Sequence, residues 1–433
     1  GDGTCDAADA DMDGDGWDDA DERMCSPQGT VLRSLPSAPV DYGDATVFLG
    51  GADRMTPMAA LSVSSLDAGT HLLDLTEDDP MAKALKLSTY SSLSAHRATN
   101  LGSSVAFTAY GEPSVDGVIS YLLDVEDGGL VPRSIGDENS GYAFAPFLDA
   151  DGQVLAIKGT AESLEALDGS TRDLDIPNSL PIQALSLENG SLLVLSHAQQ
   201  PRLEGSNSAT DTSVTASLSV VTWNHTFDAY DRTALPLTLP SSLTSSVTTL
   251  RATPGKMVAD GEGQVHWILP TVNSTTNSLV DYEHLMINGT APYVHHVGAV
   301  TGIKSTYHAT NSFGLDWTPA GGLRMSYVLS NLSVAVSELN ASGVVSTTVL
   351  SGGTYATNSH TSVGHATDTA GRSTVLVTEH SATGETLLFA PALRVDPAAD
   401  ASWTPVDEDN DGVCDASLGA MLHFAEEDLL WEA

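Results

Sequence analysis

Residues 11–22 read DMDGDGWDDADE, which places oxygen-bearing side chains at a spacing suited to one chemistry, the coordination of a hard dication. Asp11, Asp13 and Asp15 alternate, Gly16 follows, and Asp19 and Glu22 stand where a 12-residue calcium loop takes its ninth and twelfth positions. Six to eight oxygens can converge on one point only if the chain turns sharply, and Gly16 accepts the backbone angles that such a turn needs. The Trp17 carbonyl is the expected backbone ligand. Asp19 is placed to act directly or through water, Glu22 to close the shell with both oxygens, and Asp9 adds a carboxylate just ahead of the loop. Ca2+ is therefore the expected cofactor.

The same word recurs in part at both ends of the chain. Residues 2–9, DGTCDAAD, match the back of a preceding unit, so the chain is expected to begin inside a repeat, through processing or as a piece of a longer polypeptide. Residues 407–415, DEDNDGVCD, match the front of a later unit, with Asp407, Asp409 and Asp411 as side-chain ligands, the Val413 carbonyl as backbone ligand and Asp415 behind it. This copy has Leu418 where the closing acid belongs, which lowers its expected affinity. The alternating Asp, the Gly and the Cys that follows, Cys25 after the first loop, resemble a thrombospondin type 3 repeat more closely than a helix-loop-helix hand, whose eighth position is apolar where this chain has Asp18. The resemblance covers less than a tenth of the chain and implies calcium binding, not an activity.

A second set of candidates is histidine. The segments His96-Arg97-Ala98-Thr99-Asn100, His308-Ala309-Thr310-Asn311 and His365-Ala366-Thr367-Asp368 each precede a glycine-containing turn, and three imidazoles meeting at a channel mouth would make a sufficient first shell for a transition metal. Polar residues entering a strand more often satisfy neighbouring backbone, so this channel site is the weaker expectation. His295 and His296 are adjacent, and in a strand their rings point to opposite faces. The chain has no G-x-S-x-G elbow, no H-E-x-x-H helix, no phosphate loop, no C-x-x-C-H sequence and no S-x-D-x-G-x-x-W box. No catalytic residue is assigned, and binding is favoured over catalysis.

These residues need a scaffold. From about residue 40 to 398 the sequence is a series of short Val, Leu, Ser and Thr runs separated by Gly, Asp, Asn and Pro, without long helical periodicity. A polar turn followed by an apolar or alternating run recurs at Gly43, Gly102, Gly152, Gly190, Gly263, Gly322 and Gly371, spaced about 55 residues apart on average. That period suits four-stranded blades. The expected fold is all-β, a β-propeller of seven four-stranded blades over 40–398, flanked by a calcium-binding module at 1–30 and a second calcium loop at 405–417. Six or eight blades fit the uneven gaps, and tandem β-sandwich domains are the alternative. Residues 418–433 carry Leu418, Met421, Leu422, Ala425 and Leu429 on one helical face and are expected to form a short amphipathic helix.

Charge narrows the partners. The chain has 57 acids against 17 bases, a net charge of −40, and 38 acids against 16 bases remain when the two Asp-rich ends are set aside. Nucleic-acid and anionic-membrane partners are disfavoured, because phosphate binding needs clustered Lys and Arg. No run approaches a membrane span, and no signal peptide stands at Gly1, as expected of a mature exported chain. Cys5, Cys25 and Cys414 all lie in the Asp-rich segments; Cys5–Cys25 is the preferred disulfide and Cys5–Cys414 its rival. N-x-S/T sequons occur at Asn189, Asn224, Asn273, Asn288, Asn331 and Asn340, and suggest a glycosylated exterior. The sequence thus reads as a secreted or cell-surface calcium-binding protein that acts as an adhesion or binding module, its partner an extracellular protein or glycan or copies of itself. The alternatives are a protomer of a calcium-stabilised filament or surface layer, and a propeller hydrolase or lyase acting on extracellular polysaccharide.

Overall fold

A computed structural model describes 29 strands and the residues 75, 84, 187, 191, 255, 278, 293, 301–305, 312, 322, 329–333 and 341–342 beside them. Every described element is β. Sheet 1 is β2 (Tyr42–Gly50), β3 (Thr56–Val63), β4 (Gly69–Asp74) and β5 (Leu85–Ser88); sheet 2 is β6 (Arg97–Leu101), β7 (Ser104–Tyr110), β8 (Val118–Glu126) and β9 (Gly129–Ser134). Sheet 3 is β10 (Phe144–Leu148), β11 (Val154–Lys158), β12 (Ser163–Ala166) and β13 (Thr171–Asp173); sheet 4 is β14 (Ser179–Ser186), β15 (Leu192–Ala198), β16 (Ala216–Asn224) and β17 (Ala229–Leu235). Sheet 5 has a split first position, β18 (Leu250–Ala252) and β19 (Lys256–Ala259), both paired with β20 (Gln264–Asn273), then β21 (Leu279–Asn288) and β22 (Val294–Val300). Sheet 6 is β23 (Phe313–Trp317), β24 (Leu323–Val328), β25 (Val334–Asn340) and β26 (Gly343–Leu350). Sheet 7 takes β27 (Thr361–Thr367), β28 (Ser373–Glu379) and β29 (Thr386–Pro391) from one end of the body and β1 (Thr30–Leu35) from the other.

All pairings are antiparallel, and all join sequential neighbours except β18 with β20 and β1 with β29, the latter in register from Thr30↔Pro391 to Leu35↔Thr386. The first strands touch in a cycle: β2 with β6, β6 with β10, β10 with β14, β14 with β19, β19 with β23, β23 with β27, and β27 back to β2. Sheets stacked face to face around such a cycle form a β-propeller-type ring. β1 lies ahead of the 40–398 body read from the glycine turns and fastens the last sheet.

Stacking requires both faces of each sheet to be buried, and the strands are built for it. In β15, Leu192 and Val194 pack toward sheet 3 with Phe147 and Ile157, while Leu193 and Leu195 pack toward sheet 5 with Trp267 and Leu285. Alternation in a strand sends successive side chains to opposite faces, so the continuous apolar run LLVL serves two interfaces at once. Val47, Leu61, Leu73 and Leu376 fill the gap between sheets 1 and 7, and Val328, Val334, Val363, Val375 and Val377 the gap between sheets 6 and 7.

Side chains also tie the first strands together where sheets come closest. The Gln183 amide makes two hydrogen bonds to the backbone of Met257, the Lys256 Nζ donates to the Phe313 carbonyl at 2.6 Å, and the Thr367 amide donates to the Asp316 carboxylate. Small residues let the strands approach: a Cβ on Gly314 would lie 2.4 Å from the Cβ of His365, and one on Gly364 would lie 2.7 Å from the Val47 amide nitrogen.

Candidate functional site

The calcium-ligand candidates of 9–22 and 407–415, the three cysteines, His96, His308, Asn189 and residues 418–433 lie outside the described residues. What the structure gives for the Asp-rich segments is the place from which each departs. Thr30 and Pro391 are register partners, so the chain enters β1 and leaves β29 at one point, where the third and fourth strands of another sheet would be joined by a hairpin.

Of the three turn histidines, His365 is described. It is the fifth residue of β27 and only 5% exposed, packed in the interface of sheets 6 and 7. Its Nε2 is 3.2 Å from the Thr367 hydroxyl, which lies 3.2 Å from the Ser373 hydroxyl. Arg324 donates to Ser373 at 3.0 Å and, from Nε and Nη2, to Glu338 at 3.3 Å. Burial, and then the charges of Arg324 and Lys256, push the His365 pKa down to about 3, so the ring is neutral at physiological pH. Its Nδ1 is buried without a hydrogen-bond partner. A nucleophilic triad needs a carboxylate at that atom to orient the ring and stabilise its charged form. Asp316 instead accepts the backbone amides of Trp317 and Thr367. The chain Glu338–Arg324–Ser373–Thr367–His365 acts as a polar latch between two sheets.

A second constellation sits on sheet 5, and no sequence motif announced it. His266 on β20 and His284 on β21 lie diagonally across the ladder, with Nδ1 of one 2.9 Å from Nε2 of the other and the rings stacked at 5.2 Å. His284 is 1% exposed, and burial, followed by His266, His295 and His296, holds its pKa down to about 3. His295 pairs with Met286 in register, which puts it on the same face as His284, whereas His296 pairs with Leu285 on the opposite face. There His296 Nε2 meets the buried Glu283 carboxylate at 2.6 Å, and burial raises the pKa of Glu283 despite that contact. The adjacent histidines thus diverge, as strand alternation requires. The signal that could have found the His266–His284 pair is register: the two are 18 residues apart and meet only once the β20–β21 pairing is fixed. Among the described residues no three His, Cys, Asp or Glu side chains are grouped so as to hold a metal ion. None of the described elements is a helix long and apolar enough to cross a membrane.

The fold defines the class: an all-β protein of four-stranded antiparallel sheets arranged as in a propeller. No family model matches the chain, and no curated protein matches it. Among solved structures it is similar to a streptogramin B lyase, at 11% identity and a TM-score of 0.46, over 84% of this chain and 99% of that one. It is also similar to the BP39L lectin from Burkholderia pseudomallei, at 10% identity and a TM-score of 0.46, over 84% and 97% of the two chains. A protein of unknown function from Dyadobacter fermentans matches at 10% identity and a TM-score of 0.46, over 83% of this chain and 98% of that one. At these values the likeness adds nothing to the strand pairing, on which the fold assignment rests.

Proposed function

We propose that this chain is an exported calcium-binding recognition module, a seven-bladed propeller whose two Asp-rich segments act together at one pole. The observation that carries this reading is the β1–β29 pairing. It starts both segments from one point, at Thr30 and Pro391. The C-terminal word lacks its closing acid at Leu418, and the N-terminal segment carries a surplus of carboxylates that could supply it. Calcium held by Asp11, Asp13, Asp15, Asp19 and Glu22, and by Asp407, Asp409 and Asp411, would supply positive charge where the chain is most acidic and order the pole for docking on an extracellular protein or glycan. Departure from a single point favours one docking pole over head-to-tail linkage through opposite ends. Weak extracellular calcium modules work at about 10⁻⁴–10⁻³ M, which suits a secreted or surface location. Cys5–Cys25 is the disulfide that would staple the N-terminal segment.

The test is calcium uptake measured by isothermal titration, together with limited proteolysis and thermal unfolding with and without chelator. At 100 times Kd the ion should stabilise the folded form by about 2.7 kcal/mol. Cleavage ahead of Thr30 and after Pro391 should be fast in chelator and slow in calcium. Asp13→Ala/Asp15→Ala should remove most of the heat and the protection, and Asp409→Ala/Asp411→Ala a smaller part. If the chain takes up no calcium, or if these variants take it up unchanged, the reading fails.

A further inference from the structure

The six sequons are unevenly placed on the ring. Asn189 falls in the β14–β15 connection, Asn224 ends β16, Asn273 ends β20, Asn288 ends β21, Asn331 lies in the β24–β25 turn and Asn340 ends β25. Five sit at strand ends or a turn of sheets 4, 5 and 6, and Asn189 lies in sequence between two strands of sheet 4; these are three consecutive members of the cycle, and the strands and connections of sheets 7, 1, 2 and 3 carry no sequon. Hairpin placement alone is ordinary, since Asn and Ser favour turns. Confinement to one arc is not explained by turn chemistry, because the other four sheets have as many hairpins.

Two of the sites are set out in detail. Asn331 and Asn340 are exposed, and in each the side-chain Oδ1 accepts the backbone amide of the sequon serine, Ser333 at 3.1 Å and Ser342 at 2.7 Å. This bond holds Oδ1 against the backbone and brings the serine beside the asparagine, so that Nδ2 is the atom left to react. The two turns lie at opposite ends of β25, so sugars there would cover both rims of sheet 6.

We propose that the arc of sheets 4–6 is N-glycosylated at its hairpins, with Asn331 and Asn340 as the leading acceptors, and that the arc of sheets 7, 1, 2 and 3 is left bare for contact with partners. In the reaction Asn Nδ2 attacks the anomeric carbon of a phosphate-activated oligosaccharide. The N–C bond forms, the C–O bond to phosphate breaks, the phosphate-bearing carrier leaves with the electron pair, and Nδ2 gives up a proton. The proposal rests on the exported location proposed above. It also fits the position of the calcium pole, since β1 and β29 belong to sheet 7, in the bare arc.

The experiment is peptide mapping by mass spectrometry of the protein purified from the cells that make it, with surface and interior fractions collected separately. Hexose-bearing peptides containing Asn331 and Asn340 in the surface fraction are the expected result. Ser333→Ala and Ser342→Ala, which keep the asparagines but remove the acceptor hydroxyls, should abolish the sugar at the matching site and leave the thermal midpoint of the deglycosylated protein unchanged. Surface protein with both peptides unmodified overturns this inference and leaves the calcium reading standing. Protein found only in the interior overturns both. Sugars mapped instead to sheets 7, 1, 2 or 3 overturn the division into a coated and a bare arc.

Discussion

Sheet 5 presents two unlike faces from the same strands. Toward sheet 4 it buries Met257, Val265, Trp267, Leu269, Leu285 and Ile287 against Leu187, Leu193, Leu195, Leu218 and Val220, an apolar interface to which Gln183 adds its two hydrogen bonds to the Met257 backbone. Toward sheet 6, Ile268, Tyr282 and Val300 pack on Phe313, Met325 and Tyr327, but His266 and His284 occupy the same face and the Tyr282 hydroxyl reaches Ser312 at 2.7 Å. The first face is apolar except for the Glu283–His296 pair, which shares the Leu285 side of β21 and β22. The second buries His284, whose burial favours the neutral ring. One strand therefore contributes to two contacts of unlike chemistry.

The largest expected effect comes from breaking the apolar face. Trp267→Ala removes a side chain with no exposed surface and should cost about 3–5 kcal/mol, read as a fall in the denaturant midpoint at every pH. A loss that depends on pH would mean that the two faces are coupled.

Acid should act on the other face. The folded-state pKa of His284 lies below its unfolded value of 6.5, so the unfolded chain binds more protons between about 6.5 and 3. Stability should be full above about pH 7 and fall as pH drops through that window, and His365 should add a second loss of the same sign. The double variant His266→Leu/His284→Leu should flatten this acid slope while holding the neutral-pH stability close to that of the parent. An unchanged slope in equilibrium denaturation from pH 7 to 4 would show that the pair is already protonated or already open.

A change outside both faces sharpens the contrast. Leu332 adopts a φ of 70°, a left-handed conformation, in the β24–β25 turn, whereas Gly343 takes the left-handed position after β25, at φ 108°. Because an L side chain is disfavoured there by about 1–2 kcal/mol, Leu332→Gly should raise stability by about 1 kcal/mol at all pH values and keep the sequon intact. The smallest effect is expected at Glu283. Burial raises its pKa, so it opposes the histidines by favouring the folded state as it protonates, and Glu283→Gln should change stability at pH 7 by less than about 1 kcal/mol while steepening the acid slope.

The repeat was legible in the sequence because its punctuation is local. Gly102, Gly152, Gly190, Gly263, Gly322 and Gly371 each fall between the first and second strands of sheets 2 to 7. The strand after each glycine is thus the second of its sheet, and the histidine segments belong in or ahead of the first. Gly43 differs: it lies inside β2, and the equivalent connection of sheet 1 is residues 51–55. The closing strand was not legible. Thr30–Leu35 has an ordinary strand composition, and its partner, Thr386–Pro391, lies at the far end of the body, so nothing nearby in sequence marks it. The His266–His284 pair was hidden for the same reason on a smaller scale, since contact across a ladder depends on register, which turns set and composition does not.

The β1–β29 pairing has a consequence for biosynthesis. Thr30–Leu35 is made before any other strand of the body but finds its neighbour only after Pro391 has been polymerised. At about 5–20 residues per second the interval is on the order of 20–70 s, during which six sheets can assemble from local hairpins while an early strand stays without a mate. The last sheet is thus completed last, and a ribosome that stops short of Thr386 releases a chain in which β1 has no partner strand and β28 has an open edge.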